Sequence, residues 1–133
     1  MNRIIRMSLI VLNVFLAVTA IAGGVALITG AAAPSVDMLQ GSPFDTYFVP
    51  GLALVILVGG LATVALFMLL RRHRYAALAS LAAAVAIVVF ESVEIAVIGS
   101  PQGSSRILQI FYFAVGGFIG IMAAIAFRDR ART

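Results

Sequence analysis

Four long apolar runs, separated by short polar segments, constrain the fold of this chain more than any other feature. They cover residues 7–29, 51–70, 75–98 and 107–127. Each is close to the length of about 20 residues with which a helix crosses the hydrocarbon core of a bilayer. Because backbone groups in lipid must be satisfied within the segment, the runs predict helices and not strands. The sequence therefore predicts an all-α, four-transmembrane-helix bundle in which residues 1–133 form a single integral membrane domain.

The composition supports the same fold class. Of the 133 residues, 63% are hydrophobic and 11% are charged, whereas soluble domains are about 45–50% apolar and about 25% charged. A chain this short has too much surface to hide the excess inside, so apolar side chains must face lipid. The first run follows Arg3 and Arg6, as in a signal peptide, but it exceeds the ~7–15 apolar residues of a signal sequence. We expect it to remain as the first spanning helix.

The distribution of arginine predicts the orientation. All nine basic residues are Arg, and eight of them precede the first run, join the second to the third, or follow the fourth. Only Arg106 lies on the opposite side of the predicted membrane. Since cytoplasmic segments are enriched in basic residues, both termini are expected in the cytoplasm, with an ordered loop over residues 30–50 outside. Abundant Ala and Arg without Lys suggest a bacterial protein, multi-pass in the inner (plasma) membrane.

Several classes of chemistry lack the residues that they need. The chain has no Cys, so it has no disulfide, thiolate metal site or thiol–disulfide exchange. His73 is the single histidine, which excludes a multi-His metal site or a bis-His haem within one chain. No P-loop, GxSxG or HExxH motif is present, and the basic clusters lack the interleaved aromatics of a nucleic-acid surface. We expect no catalytic set, no cofactor, no metal and no nucleic-acid partner.

Glu91 and Glu94 are the main candidates for a functional polar site. Acidic side chains in a spanning segment are costly and often functional, and residues three apart lie on one face of a helix. The pair is expected to share a proton, bind a cation or contact a lipid headgroup. Arg106 and Gln109 are expected at a similar depth. The alternative is structural: Glu94 and Gln109 tie the third helix to the fourth, while Glu91 pairs with Arg106 or reaches water.

The predicted outer loop is rich in apolar and aromatic residues, so it is expected to fold over the outer mouth of the bundle. Phe44 and Tyr47 are expected at the membrane interface, and Asp37 and Asp45 add acidic groups to the same layer. Pro50 suits the start of the second helix, where a missing N–H costs nothing. The candidate contacts of this loop with a ligand or partner are Asp37, Phe44, Asp45 and Tyr47.

Small residues predict where helices approach closely. Gly116 and Gly120 form a GxxxG pair in the fourth run, and Gly-Gly pairs lie at 23–24 and 59–60. Such positions allow close helix contacts in lipid. Packing within one bundle is the first interpretation, and a homo-oligomer formed through Gly116 and Gly120 is the second.

A set of short motifs carries a family resemblance. GSPF at 41–44 precedes YFVPGL at 47–52, Glu94 lies near the end of the third run, and LQ at 108–109 precedes the aromatic pair at 112–113. In this pattern the chain resembles a family of small, uncharacterised four-helix bacterial membrane proteins, in which S/T-P-F and I/V-P-G-L lead into the second helix. The resemblance extends over residues 41–117 and departs at Glu91, where the family pattern has an apolar residue. It implies the same four-helix topology and no particular activity.

Three functions follow from these observations. The first is a non-enzymatic accessory protein that binds a lipid or a protein partner through its outer face. The second is an oligomeric transport module for protons or small cations, using Glu91 and Glu94. The third is an enzyme acting on a lipid or quinone, which ranks last because one outer carboxylate pair is weak support. An apolar cavity between helices with Glu94 at its end would favour it.

Overall fold

The computed structural model describes residues 1–31, 39–99 and 104–131 of the chain. The described part is helical, with turns between the helices, and four of its helices are long and apolar enough to cross a membrane. We number them α1 (Arg3–Thr29), α2 (Phe48–Leu70), α3 (Ala76–Ile98) and α4 (Ser104–Ala131). The predicted all-α fold is therefore confirmed, and its four long apolar helices are consistent with a multi-pass membrane protein.

Three helices are longer than the apolar runs that predict them. α1 begins at Arg3 and not at residue 7, α2 begins at Phe48 and not at 51, and α4 covers Ser104–Ala131 and not 107–127. The reason is that hydropathy marks only the part of a helix that lies in hydrocarbon, while helical hydrogen bonding continues through polar residues. At the start of α1, Asn2 Oδ1 accepts the Ile4 N–H at 2.7 Å and caps the helix.

The helices form a ring. Each packs against its neighbours in the chain, and α1 also contacts α4, which closes the bundle. The core between them is built from fully buried apolar side chains, among them Leu9, Leu16, Leu69, Ile87 and Ile119. Large apolar side chains also cover the outward faces, where Phe67 and Ile121 are about 60% exposed (59% and 62%). These outward faces match a lipid environment, because in water they would be costly.

One polar contact crosses the middle of the ring. Asn13 of α1 is completely buried, and its Nδ2 donates to Leu9 O at 2.9 Å and to Ser80 Oγ of α3 at 3.2 Å. Ser80 is also completely buried. A hydrogen bond inside a helical membrane bundle fixes which faces of two helices meet, so this pair sets the rotation of α1 relative to α3.

At the point where α1 and α2 cross, each helix has a glycine. A Cβ added to Gly24 would lie 2.6 Å from Gly51 O, and one added to Gly51 would lie 2.7 Å from Gly24 O. Real Cβ atoms do not approach backbone oxygens this closely, so only glycine permits the crossing. The two helices are consequently held in backbone contact near the end of the bundle at which α2 begins.

α2 contains a π-helical segment, Leu54–Gly59, between its first turns and its remaining α-helical part. At the end of that segment, Thr63 Oγ1 donates to Gly59 O at 2.7 Å, which gives a backbone carbonyl at the irregularity an additional partner. The first turns, Phe48–Ala53, pack against α1, and in the described chain they do not contact α3. A groove therefore opens between α2 and α3, and π-helical turns are frequent beside functional sites.

Candidate functional site

The groove between α2 and α3 has a volume of about 670 Å³. Ligand sites commonly have ~300–1,000 Å³. Along α3 its lining extends from Leu78 to Ile98, which at 1.5 Å per residue is about 30 Å, the thickness of a hydrocarbon core. Along α2 it extends from Val49 to Leu61. A long, flexible apolar chain therefore fits its dimensions.

One end of the groove is closed by the segment that precedes α2. Leu39, Phe44 and Tyr47 lie over the groove there, and Leu39 and Tyr47 are buried. Ser42 shapes this segment, since its Oγ donates to Leu39 O at 2.7 Å and accepts the Phe44 N–H at 3.2 Å. The segment thus places two aromatic side chains against the end of α3.

Tyr47 and Glu94 are the polar residues of the groove lining; the other lining residues are apolar. Both belong to what we call the carboxylate end of the bundle, defined by Tyr47, Glu91 and Glu94. Burial raises the pKa of the Tyr47 hydroxyl, and the negative charge of Glu94 raises it further. The phenol and the carboxylate are therefore close enough to interact electrostatically, although they come from different elements of the chain.

Glu91 lies beside this pair, inside the bundle. It is only 4% exposed, and its carboxyl group hydrogen-bonds to that of Glu94. Its Oε2 has no hydrogen-bond partner within the described chain. Glu91 thus connects the groove end to the bundle interior and does not reach water.

Gln109 joins α4 to the end of α3. It is buried, and its Nε2 donates to Gly99 O at 3.1 Å, while its Oε1 has no partner among the described residues. Gly99 follows the last residue of α3 with φ at 75°, a conformation that favours glycine. Gln109 therefore bonds to the backbone at the helix end, and it is not among the groove-lining residues.

The remaining predicted site residues lie in different places. Phe44 is half-buried in the groove lining, whereas Asp45 and Arg106 are exposed and do not line it. Asp37 lies outside the described residues. The structure thus brings together Phe44, Tyr47 and Glu94, with Glu91 behind them.

The GxxxG pair of α4 faces α3 of the same chain. A Cβ added to Gly116 would lie 2.9 Å from Ile87 Cγ2 and from Val88 Cγ2, and one added to Gly120 would lie 3.8 Å from Ala84 Cβ. This face is therefore occupied by packing inside the bundle. A homo-oligomer formed through Gly116 and Gly120 remains a prediction.

Comparison with known proteins adds no relative: scans against family models, curated proteins and solved structures each found no match.

The sequence did not predict that a groove exists. An apolar cavity between helices with Glu94 at its end is nevertheless the feature named above in favour of an enzyme, and the groove has that form. The sequence feature related to the groove is the spacing of Ala82 and Ala86. Their small side chains leave room on the face of α3 that is turned toward α2. The same spacing also occurs in tightly packed helices. The sequence therefore cannot distinguish an open groove from a closed helix contact. The structure does so, because Phe48–Ala53 is separated from α3.

Proposed function

We propose that this protein is a non-enzymatic membrane protein that binds an uncharged, hydroxyl-bearing lipid in the groove between α2 and α3. The observation that carries the proposal is the distribution of polarity in the groove. Its lining is apolar over the length of α3 and becomes polar where Tyr47 and Glu94 face it. That distribution matches an amphiphile with a long chain and a small polar head.

The chemistry of the polar end selects the head. A carboxylate accepts hydrogen bonds, and a neutral phenol donates one and accepts others. A hydroxyl group can therefore donate to Glu94, beside Tyr47 at the same end of the groove. A phosphate in the same place would be repelled by the negative charge of Glu94. The ligand is thus a lipid of the diacylglycerol, polyprenol or quinol type.

The cellular setting is part of the proposal. Arginine enrichment at one end of the bundle supports a cytoplasmic location for both termini and an outward-facing carboxylate end. The composition supports the inner membrane of a bacterium, and the motifs at 41–52 support membership of the four-helix family described above. In this setting the head of the bound lipid lies in the outer half of the membrane.

A photocrosslinking comparison tests the lipid proposal. Diazirine-bearing diacylglycerol and phosphatidic acid with identical chains are incorporated separately into phosphatidylcholine vesicles that contain the protein. We expect diacylglycerol to label the groove-lining residues of α2 and α3 more strongly than phosphatidic acid does. Glu94→Gln should reduce that preference, because it removes the charge that repels phosphate.

Two matched substitutions complete the design. Ala82→Phe fills the groove, whereas Ala124→Phe adds the same side chain to an exposed position of α4 outside the groove. Labelling by diacylglycerol should fall in Ala82→Phe and remain unchanged in Ala124→Phe. Equal labelling in both variants, or label distributed evenly over the outward faces, would refute the proposal.

A second candidate function is an oligomeric proton or small-cation module. The observation that favours it is the buried, unpartnered Oε2 of Glu91 and its hydrogen bond to Glu94. Flux into proteoliposomes would be compared for the original chain, Glu91→Gln and Glu94→Gln. Flux above background that both substitutions abolish would support transport, and background flux in all three would exclude it.

A further inference from the structure

A second cavity, of about 310 Å³, lies at the opposite end of the bundle from the carboxylates. We call this the arginine-rich end, defined by Arg6, Arg72, His73 and Arg74. These four basic side chains line the cavity together with buried apolar ones, Leu69, Ala76, Ala77 and Ala126. Asp129, the acidic residue of this end, is not among the lining residues. The cavity is therefore cationic at its rim and apolar at its base.

Arg6 is held in place by the end of α2. Its Nε donates to Leu69 O at 3.0 Å, and its Nη2 donates to Leu70 O at 3.4 Å. A guanidinium has five N–H groups in a planar fork, so three of them are not used by these bonds. The side chain thus carries a fixed positive charge at the cavity, with donors still available to a ligand.

Arg72 adopts a backbone conformation that usually requires glycine. Its φ is 54°, and its N–H donates to Leu69 O at 3.2 Å while the His73 N–H donates to Met68 O at 2.8 Å. This is the hydrogen-bond pattern of a Schellman motif, in which glycine is the common residue at the position of Arg72. Glycine would adopt this φ without strain, so the Arg72 side chain is placed at the cavity at a conformational cost.

His73 and Arg74 are also positioned. His73 Nδ1 accepts the Tyr75 N–H at 3.1 Å, so in the neutral ring the hydrogen is on Nε2, which is a donor. The Arg74 guanidinium lies 4.6 Å from the centre of the Tyr75 ring, which orients it by a cation–π contact. Arg6, Arg72, His73 and Arg74 thus all present donors at a cavity that no carboxylate of the described residues lines.

We propose that this cavity binds the phosphate of an anionic membrane lipid. Helix ends lie at the depth of lipid headgroups, and basic pockets between spanning helices are suited to anionic heads. The apolar base accommodates the glycerol backbone and the first methylenes of the chains. The site is independent of the groove: it selects for negative charge, whereas the carboxylate end selects against it.

The test measures lipid affinity by native mass spectrometry of the whole protein in neutral detergent, with phosphatidylglycerol, phosphatidylcholine of the same chains, or inorganic phosphate. We expect phosphatidylglycerol to bind more tightly than phosphatidylcholine. Arg72→Gly should weaken phosphatidylglycerol binding about fivefold, the contribution of one arginine at a membrane surface. Arg128→Gln is the control, because Arg128 is exposed at the same end and outside the cavity lining.

The same variant has a second readout. Because glycine tolerates a positive φ, Arg72→Gly should raise the thermal stability of the lipid-free protein while reducing the stabilisation that phosphatidylglycerol adds. Equal weakening by Arg72→Gly and Arg128→Gln would show only general surface attraction and would overturn the site. Equal affinity for the two lipids would also overturn it. If millimolar inorganic phosphate displaces phosphatidylglycerol, the ligand of the cavity is free phosphate and not a lipid.

Discussion

At the scale of single residues, the carboxylate end depends on a few polar side chains that different elements bring together. Tyr47 comes from the segment before α2, while Glu91 and Glu94 come from α3. Tyr47 and Glu91 are buried and Glu94 is half-buried, so the charge of one affects the others more strongly than it would at a surface. The sequence indicated the two glutamates by their spacing and placed Tyr47 in the same outer layer, and in the structure Tyr47 and Glu94 line the same end of the groove.

The ionisation of Tyr47 should depend on Glu94. The Tyr47 pKa is raised mainly by burial and further by Glu94, so Glu94→Gln should lower it toward, but not to, its ordinary value of about 10. Because the folded pKa exceeds the unfolded one, this group stabilises the fold below pH about 10 and the contribution is lost as pH rises through the folded pKa.

Ultraviolet absorbance of the phenolate measures this titration, with Tyr47→Phe subtracted to isolate one of the three tyrosines. Asp45→Asn is the matched control, because Asp45 is exposed and outside the groove lining. An unchanged Tyr47 pKa in Glu94→Gln, or an equal decrease in Asp45→Asn, would contradict the prediction.

The contact between Asn13 and Ser80 should have a measurable coupling energy. The two side chains are buried and bonded at 3.2 Å, and hydrogen bonds between membrane helices contribute about 0.6 kcal/mol on average and up to about 1.7. A double-mutant cycle with Asn13→Ala and Ser80→Ala, measured by unfolding in mixed micelles, should give a value in that range. The control pair is Asn13→Ala with Thr63→Ala, since the Thr63 hydroxyl bonds to its own helix. Similar coupling in both cycles would count against a specific contact.

At the scale of elements, close crossings and irregular turns decide which helices touch. Backbone contact at Gly24 and Gly51 holds the start of α2 against α1. The π-helical segment Leu54–Gly59 follows directly, and the remaining part of α2 packs against α3. α2 therefore contacts both α1 and α3, and the groove lies where the start of α2 is separated from α3.

Gly24→Ala should destabilise the bundle. The added Cβ would meet the backbone oxygen of Gly51, which cannot rotate away, so we expect a loss of about 1–3 kcal/mol by overpacking. Gly60→Ala is the matched control, because a Cβ there has open space, and Ala in a helix is neutral or up to about 1 kcal/mol better than Gly. Unfolding in mixed micelles measures both, and a Gly24→Ala variant as stable as Gly60→Ala would disprove the crossing.

The ends of α3 were predicted to within one residue, because a turn with Tyr75 precedes it and Gly99 follows it. The start of α1 was missed by four residues, since Arg3 and Arg6 lie beyond the apolar run yet continue the helix. No composition rule indicates the π-helical segment. Its six residues are as apolar as the turns around them, so hydropathy does not distinguish them.

At the scale of the whole molecule, charge is polarised between two ends with different chemistry. One end has buried carboxyl groups beside an apolar groove, and the other has basic side chains around a smaller cavity. The four helices follow from hydropathy alone. The groove does not, because in lipid the faces between helices are as apolar as the faces toward lipid, and hydropathy cannot distinguish them.

The orientation of the two ends can be measured directly. The chain has no Cys, so single cysteines at Ser42 and His73 report the two ends without background. In intact bacterial cells we expect an impermeant maleimide to label Ser42→Cys and to leave His73→Cys unlabelled until the membrane is opened. The reverse pattern would invert the topology, and labelling of both in intact cells would contradict a single orientation.

The separation of Phe48–Ala53 from α3 determines how a ligand reaches the groove. The flanks of the groove are exposed apolar residues, including Val49, Leu57, Val85 and Val89, so its opening faces the bilayer and not the water. A molecule that enters it arrives by lateral diffusion within the membrane. Occupancy then follows the mole fraction of that molecule among the surrounding lipids, and enrichment in a membrane domain changes it without any change in the aqueous phase.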